Sequence, residues 1–275
     1  MKKIILSAAT VVCLFSTEAQ IKMPQPSPTQ TIKQDFAMGS IELTYSRPAA
    51  KGRKILGDLV PYNKIWRTGA NAATLIKFTD VVEINGKRID TGSYVLYSIP
   101  GLENWEIILN KGTGNWGTDG YKESEDVLRF KVPEEKIKPA LESFTMQFAN
   151  VMPESCTLQI MWDKTGINIP IKANIRDRVK KQIDNALQGE KKPYWQAAQF
   201  YNEYEKNSSK ALEYINKAVE TNPKAFYMWL YKARIENDMG DKKAAMASSQ
   251  KSLELSREAK NDDYVKMNLE LQKKL

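Results

Sequence analysis

Two arginines, two aromatic residues and an asparagine, in and just before the stretch Val60–Phe78 ("VPYNKIWRTGANAATLIKF"), carry the chemistry best suited to a ligand. Arg53 and Arg67 present planar guanidinium forks that can hold a carboxylate, phosphate or sulfate through two parallel hydrogen bonds. Tyr62 and Trp66 offer flat faces on which a sugar or peptide ring can lie, and Gly69 and Asn71 permit a tight approach of the backbone. Arg53, Tyr62, Trp66, Arg67 and Asn71 are therefore the candidate ligand-binding set. Arg47, Lys51, Arg53, Lys54, Lys64 and Arg67 are opposed within the segment by Asp58 alone, a local field that attracts an anionic small molecule, glycan or peptide. A structural reading competes with this one. Tryptophan and proline in a long connection commonly plug the end of a β-structure, and an arginine beside them commonly ties the loop to a carboxylate such as Asp58. The balance favours the plug for Trp66 and the site for Arg53 and Arg67.

A second stretch, "NKGTGNWGTDGYKESEDVLRF" from Asn110 to Phe130, combines glycines with Trp116 and Tyr121, which could stack on a ring. Asp119, Glu123, Glu125 and Asp126 could hold calcium or act as paired carboxylates, but their spacing is not that of an EF-hand loop. The stretch reads as a solvated acidic turn.

The sequence contains no histidine. Within this chain that excludes a Ser-His-Asp triad, a Cys-His pair and any histidine-ligated zinc or iron centre. Carboxylate chemistry, a Ser-Lys or Tyr nucleophile and an oxygen-ligated cation survive the exclusion. None is spelled out by a recognisable spacing, so no cofactor and no metal site is expected. The net charge is +8, spread over both halves of the chain, which does not point to a nucleic-acid partner.

The elements that must position these residues follow from periodicity. Residues 1–20, "MKKIILSAATVVCLFSTEAQ", have a basic start, a short apolar run and the small-x-small pattern Thr17-Glu18-Ala19, the marks of a cleavable signal peptide and not of a membrane span. Its removal leaves Cys156, in phase with Leu158, Ile160 and Trp162, as a small buried hydrophobe of a strand. Residues 21–30 alternate Pro24, Pro26 and Pro28, which favours an extended segment. From 31 to 173 the period is two. Ile41, Leu43 and Tyr45 alternate with polar residues, as do Phe144, Met146 and Phe148. Asn85-Gly86 marks a hairpin, "GSYVLYSIPG" a central strand, and the whole predicts an antiparallel β-sandwich of nine or ten short strands. At Asn174 the period changes. Ile175, Val179, Ile183 and Leu187 predict a linking helix, capped by Asn174 and ended by Gly189. Trp195 and Trp229 then recur at the offset that also separates Ala211 from Ala245, and Pro223 closes the first unit.

These offsets resemble the tetratricopeptide repeat, with Trp195, Ala211, Ile215, Ala218 and Pro223 in the first unit and Trp229, Gly240 and Ala245 in the second. The second unit departs late: Ser249 and Ser252 stand where a large and a small residue are expected, and Arg257 replaces the proline. A capping helix is expected from about Asp262. The fold class is thus α+β, with an all-β antiparallel sandwich over 31–173 followed by an all-α tetratricopeptide-like domain over 174–275. In the first domain, "YSRPAAKGRKI", "LVPYNKIWRTGANAAT", "GSYVLYSIPG", "WEIILNK" and "NWG" occur in order and resemble the secreted bacterial family known as domain of unknown function 2911, over about residues 24–172. The resemblance implies a periplasmic or exported protein, often from Bacteroidota, and implies no activity.

Two readings of function follow. One is an exported non-catalytic binding or scaffolding protein, whose sandwich holds a ligand and whose repeats hold a protein partner, with no nucleic acid and no membrane span. The alternative is a carboxylate-dependent hydrolase acting on acidic glycans. On either reading the mature chain starts at or near Gln20 and carries no lipid on Cys13, because Val12 is not the small residue that a lipoprotein signal needs at that place. Intact mass of the exported protein checks this; a diacylglycerol adduct would overturn it.

Overall fold

The computed structural model describes residues 23–275; the expected signal peptide lies outside the described residues. The chain divides into two compact units. One comprises residues up to 151 and 156–171, the other 152–155 and 172–275.

The first unit holds two antiparallel sheets. The larger is built from β1 (Thr29–Phe36), β2 (Gly39–Ser46), β3 (Ala70–Phe78), β6 (Gly92–Ile99), β7 (Asn104–Asn110) and β8 (Asp126–Pro133), in the order β1-β2-β3-β6-β7-β8. The smaller joins β4 (Val82–Ile84), β5 (Lys87–Ile89), β9 (Glu135–Met152) and β10 (Ser155–Lys172), in the order β5-β4-β10-β9. Alternation decides which side chains meet between the sheets. Ile41, Leu43 and Tyr45 of β2, Ile76 and Phe78 of β3, Leu96 of β6, Ile107 and Leu109 of β7 and Leu128 of β8 share the inner face and are buried. Phe144 and Met146 answer from β9. Tyr45 pins the two sheets together: its ring meets Phe144 edge-on at 5.8 Å, and its hydroxyl accepts the Met146 N–H at 2.9 Å and donates to the Met146 carbonyl at 3.1 Å. Cys156 is buried, which pushes its thiol up to about 11 and keeps it protonated.

The Asn85-Gly86 turn is present, with φ of 50° and 74° as a tight hairpin of this type requires. β6 lies inside the larger sheet, as its two apolar faces predict. The strands are not all short. "TLQIMW" and "INIPIK" form one strand of 18 residues, β10. Its buried positions run Cys156, Leu158, Ile160 and Trp162, then Ile167, Ile169 and Ile171, so the inward set changes from even to odd numbers. Asp163, at φ 51°, lies where the phase slips.

The second unit contains α1 (Arg176–Ala186), α2 (Tyr194–Glu203), α3 (Ser208–Thr221), α4 (Phe226–Asp238), α5 (Lys242–Glu258) and α6 (Asp262–Gln272). Ile183 of α1 is buried and packs with Ala197, Ala211, Ile215 and Ala218, the small and branched positions of the first repeat, while Val179 and Leu187 are partly buried against the same cluster. Asn174 does not cap α1. Ile175 is the N-cap, and its N–H goes to the Glu154 carboxylate at 3.2 Å, because residues 152–155 belong to this unit. Asn207, Asp241 and Asn261 do cap α3, α5 and α6 with their side chains. The two repeat tryptophans are not equivalent. Trp195 packs edge-on against Tyr227 at 5.5 Å and Tyr231 at 5.0 Å, whereas the Trp229 indole donates to the Pro223 carbonyl at 3.0 Å. The positions one repeat beyond Tyr227 and Tyr231 are Asn261 and Val265, which have no ring to offer.

The aberrant serines of the second repeat are fully buried against α6. Asn268 Nδ2 donates to Ser252 Oγ at 2.8 Å and to the Tyr264 carbonyl at 2.8 Å, Ser249 Oγ meets Asn268 Oδ1 at 3.0 Å, and Ser252 Oγ donates to the Phe226 carbonyl at 2.8 Å. A polar seam thus replaces the expected apolar one. Each buried group left without a partner costs about 1 to 3 kcal/mol, so Asn268→Ala is expected to destabilise the helical unit by that amount in chemical denaturation of the full chain. An unchanged transition would show that the seam holds nothing.

Candidate functional site

The connection from Arg47 to Gly69 binds each sheet in turn. Near its start, the Ala50 N–H donates to the Glu142 carbonyl at 2.7 Å, the Phe144 N–H donates to the Pro48 carbonyl at 2.8 Å, and Arg47 reaches the Phe144 carbonyl at 3.1 Å and the Thr145 hydroxyl at 2.9 Å. Near its end, Trp66 pairs antiparallel with Ser98 of β6, N–H to carbonyl in both directions at 2.7 and 3.0 Å. The pairing extends β6 beyond the reach of β3, whose partners on β6 stop at Leu96.

That single bridge separates the two readings of the segment. Trp66, opposite the fully buried Ser98, must face inward. It meets Phe144 at 5.2 Å, Trp105 at 6.1 Å and, stacked within 16° of parallel, Trp162 at 6.1 Å, while its indole N–H donates to the Gly69 carbonyl at 3.0 Å. Trp66 is a plug. Ile65 and Arg67, its neighbours, alternate to the outer face. Ile65 packs there on Val95, Tyr97 and Ile108.

On that outer face the second stretch joins the first. Tyr121 also packs on Val95, Tyr97 and Ile108, its ring edge-on to Tyr97 at 5.3 Å. Gly117, at φ 64°, lies against Arg67: a Cβ there would stand 2.8 Å from Nη1. Asn115 donates to the Tyr97 hydroxyl at 3.4 Å and occupies the space over Gly120, at φ 80°. Trp116, between Asn115 and Gly117, is 65% exposed.

Glu123, Glu125 and Asp126 of this stretch are engaged, the first two in ion pairs with Arg129 and Lys122. Asp126 accepts from Tyr121 at 2.8 Å, Arg129 at 2.9 Å and Asn110 at 2.7 Å, and Arg129 donates to Glu106 at 2.9 Å. Burial, the bond to Asp126 and its charge push the Tyr121 phenol up to about 12, so it stays protonated and donates. Among the described residues, no group of three His, Cys, Asp or Glu side chains could hold a metal ion.

The five sequence-predicted residues are not gathered in one place. Arg53 donates to the carbonyls of Ala50 at 3.0 Å and Ala49 at 2.7 Å, closing its own turn. Tyr62 lies over Gly57, at φ 82°, where a Cβ would come 2.6 Å from its ring. Asn71, at φ 57°, ties the connection to Ser27 O at 3.1 Å and Ser46 Oγ at 3.3 Å. Arg67 is brought to Asn71 through Nη1 and the Asn71 carbonyl at 3.1 Å. Neither arginine meets Asp58. The residues not in the predicted set are Trp116 and Gly117. Their signal was a tryptophan in a glycine-rich turn, which by itself does not say what it faces.

These placements give opposite expectations for neighbouring residues. Trp66→Ala should lower the stability of the first unit by about 3 to 5 kcal/mol, as truncating a packed tryptophan does. Arg67→Ala, which removes one hydrogen bond to a backbone carbonyl and, among the described residues, no ion pair, should lower it by only about 1 kcal/mol. One denaturation curve per variant checks both; equal losses would contradict the alternation.

The comparisons with known proteins agree with the division into units. The model of the family described as "Protein of unknown function (DUF2911)" matches residues 27–171, and that of "N-terminal acetyltransferase A, auxiliary subunit" matches the helical residues 172–268. No curated protein and no solved structure matches. The first match covers more than half of the sequence and coincides with the two-sheet unit, and the chain belongs to the DUF2911 family of proteins of unknown function.

Proposed function

We propose that this is an exported, non-catalytic binding protein that takes an anionic ligand at Arg67, on the outer face of the larger sheet, and a protein partner on its helical repeats. One observation carries the anion reading. Among the described residues, Arg67 makes no ion pair and spends only Nη1, on a backbone carbonyl. The expected tether to a carboxylate is absent, and its Nε–Nη2 edge keeps two parallel donors of the kind that bind carboxylate, phosphate or sulfate. Export rests on the signal peptide read from residues 1–20. No helix among the described residues is long and apolar enough to cross a membrane. The partner reading rests on the tetratricopeptide-like array and on the similarity of residues 172–268 to an auxiliary subunit, a protein that by its name serves an enzyme assembly.

The hydrolase alternative needs two carboxylates facing a common space. Asp126 and Glu106 instead flank Arg129 and hold it.

Calorimetric titration of the chain lacking residues 1–19 with two polyanions, polygalacturonate and poly-glutamate, tests the anion reading. Binding of at least one is expected, weaker at higher salt and at least about tenfold weaker in Arg67→Ala, which removes both donors of the bidentate pair. Equal binding by the variant, or none by the parent, would overturn it.

A further inference from the structure

We infer that Arg67 is half of a subsite for an acidic pyranose within a glycan chain, and that the exposed indole of Trp116 is the other half. This deepens, and rests on, the anion reading of Arg67.

A single exposed aromatic is ordinary and carries nothing alone. Here the loop that bears Trp116 is built around its neighbours. Gly117 has φ of 64°, a conformation side chains rarely adopt, and its missing Cβ is the space that the Arg67 guanidinium fills, 2.8 Å away. Asn115, on the other side, is held by the Tyr97 hydroxyl and lies over Gly120, also at positive φ. The residues flanking Trp116 are thus fixed, one by a guanidinium and one by the floor of the sheet. Trp116 precedes Gly117, the residue on which the guanidinium lies, and is 65% exposed.

The pairing suits a sugar acid. A pyranose ring presents a face of C–H bonds that an indole can cover, and its carboxylate projects from the ring edge, where the Nε–Nη2 edge of Arg67 has two donors to spare. A peptide is recognised differently, by addition to a strand edge or by apolar pockets for successive side chains. The strands beneath this face, β6 and β7, have neighbours on both sides and offer no edge.

Affinity electrophoresis of the chain lacking residues 1–19 through gels containing polygalacturonate, neutral dextran or poly-glutamate tests the inference. Polygalacturonate should retard the parent, and Trp116→Ala and Arg67→Ala should each weaken that retardation about tenfold, the first with unchanged melting temperature and the second with a loss of no more than about 4 °C. Trp116→Tyr should retain most of it, and dextran should retard none. If Arg67→Ala abolishes retardation while Trp116→Ala leaves it intact, the anion site stands and the sugar subsite fails. Poly-glutamate retarding the parent as strongly, with the same dependence on Trp116, also overturns the glycan assignment. If no polyanion retards the parent, the anion reading itself fails and takes the subsite with it.

Discussion

The antiparallel bridge between Trp66 and Ser98 fixes the parity of the long connection, and the arrangement of the surface depends on it. A strand has two faces and no intermediate choice. Once Trp66 is drawn into the aromatic cluster of Phe144, Trp105 and Trp162, Ile65 and Arg67 have to lie outside. A slip of one residue in one direction would place a guanidinium among tryptophans, at the desolvation cost of a buried charge. The inward Trp66 and the outward Arg67 are therefore consequences of one constraint, acting on adjacent residues.

Much of the architecture is legible in the sequence, because burial on one face writes itself as alternation. The strand around Ile41, Leu43 and Tyr45, the turn at Asn85-Gly86, the helix through Ile175, Val179 and Ile183 and the repeat offset all carry local signals. What is illegible depends on pairing across distance. Nothing near Arg53 announces that its donors will be consumed by the Ala49 and Ala50 carbonyls of its own turn. Nothing near Gly117 announces Arg67, fifty positions earlier. The phase slip at Asp163 disguises one strand as two, since a single left-handed residue exchanges the faces of everything after it. The capping of α1 by Glu154 comes from a turn that periodicity assigns to the other unit.

The helical unit departs from its repeat pattern for a physical reason. A large apolar residue at the position of Ser249 would hold α6 at a distance. Small side chains let it approach, and every hydroxyl brought inside then needs a partner. Asn268 supplies donor and acceptor together, and Gln272 donates to Ser249 at 3.2 Å. The seam is compatible with one placement of α6, since a shift by one residue strands several polar groups at once. An apolar seam would tolerate sliding.

The same logic, applied to charge, separates the matched polar groups of the first unit from the unmatched one. Around Tyr121 the polar groups are matched: Asp126 receives three donors, Arg129 hydrogen-bonds two carboxylates and lies near a third, and the phenol, at about 12, has no tendency to give up its proton. The buried Cys156 thiol, at about 11, is similarly inert. Groups so satisfied fix a loop but do not exchange protons with a substrate, because any transfer would first have to break the network that holds them. Arg67 is the opposite case: a permanent charge on the same face, bonded through Nη1 to a backbone carbonyl and to no carboxylate among the described residues. Matched charges build the floor and the loop over it, and the unmatched one is placed where that loop leaves an indole in solvent. On the proposed reading such a surface would stabilise an anion by position alone, which is the requirement of recognition.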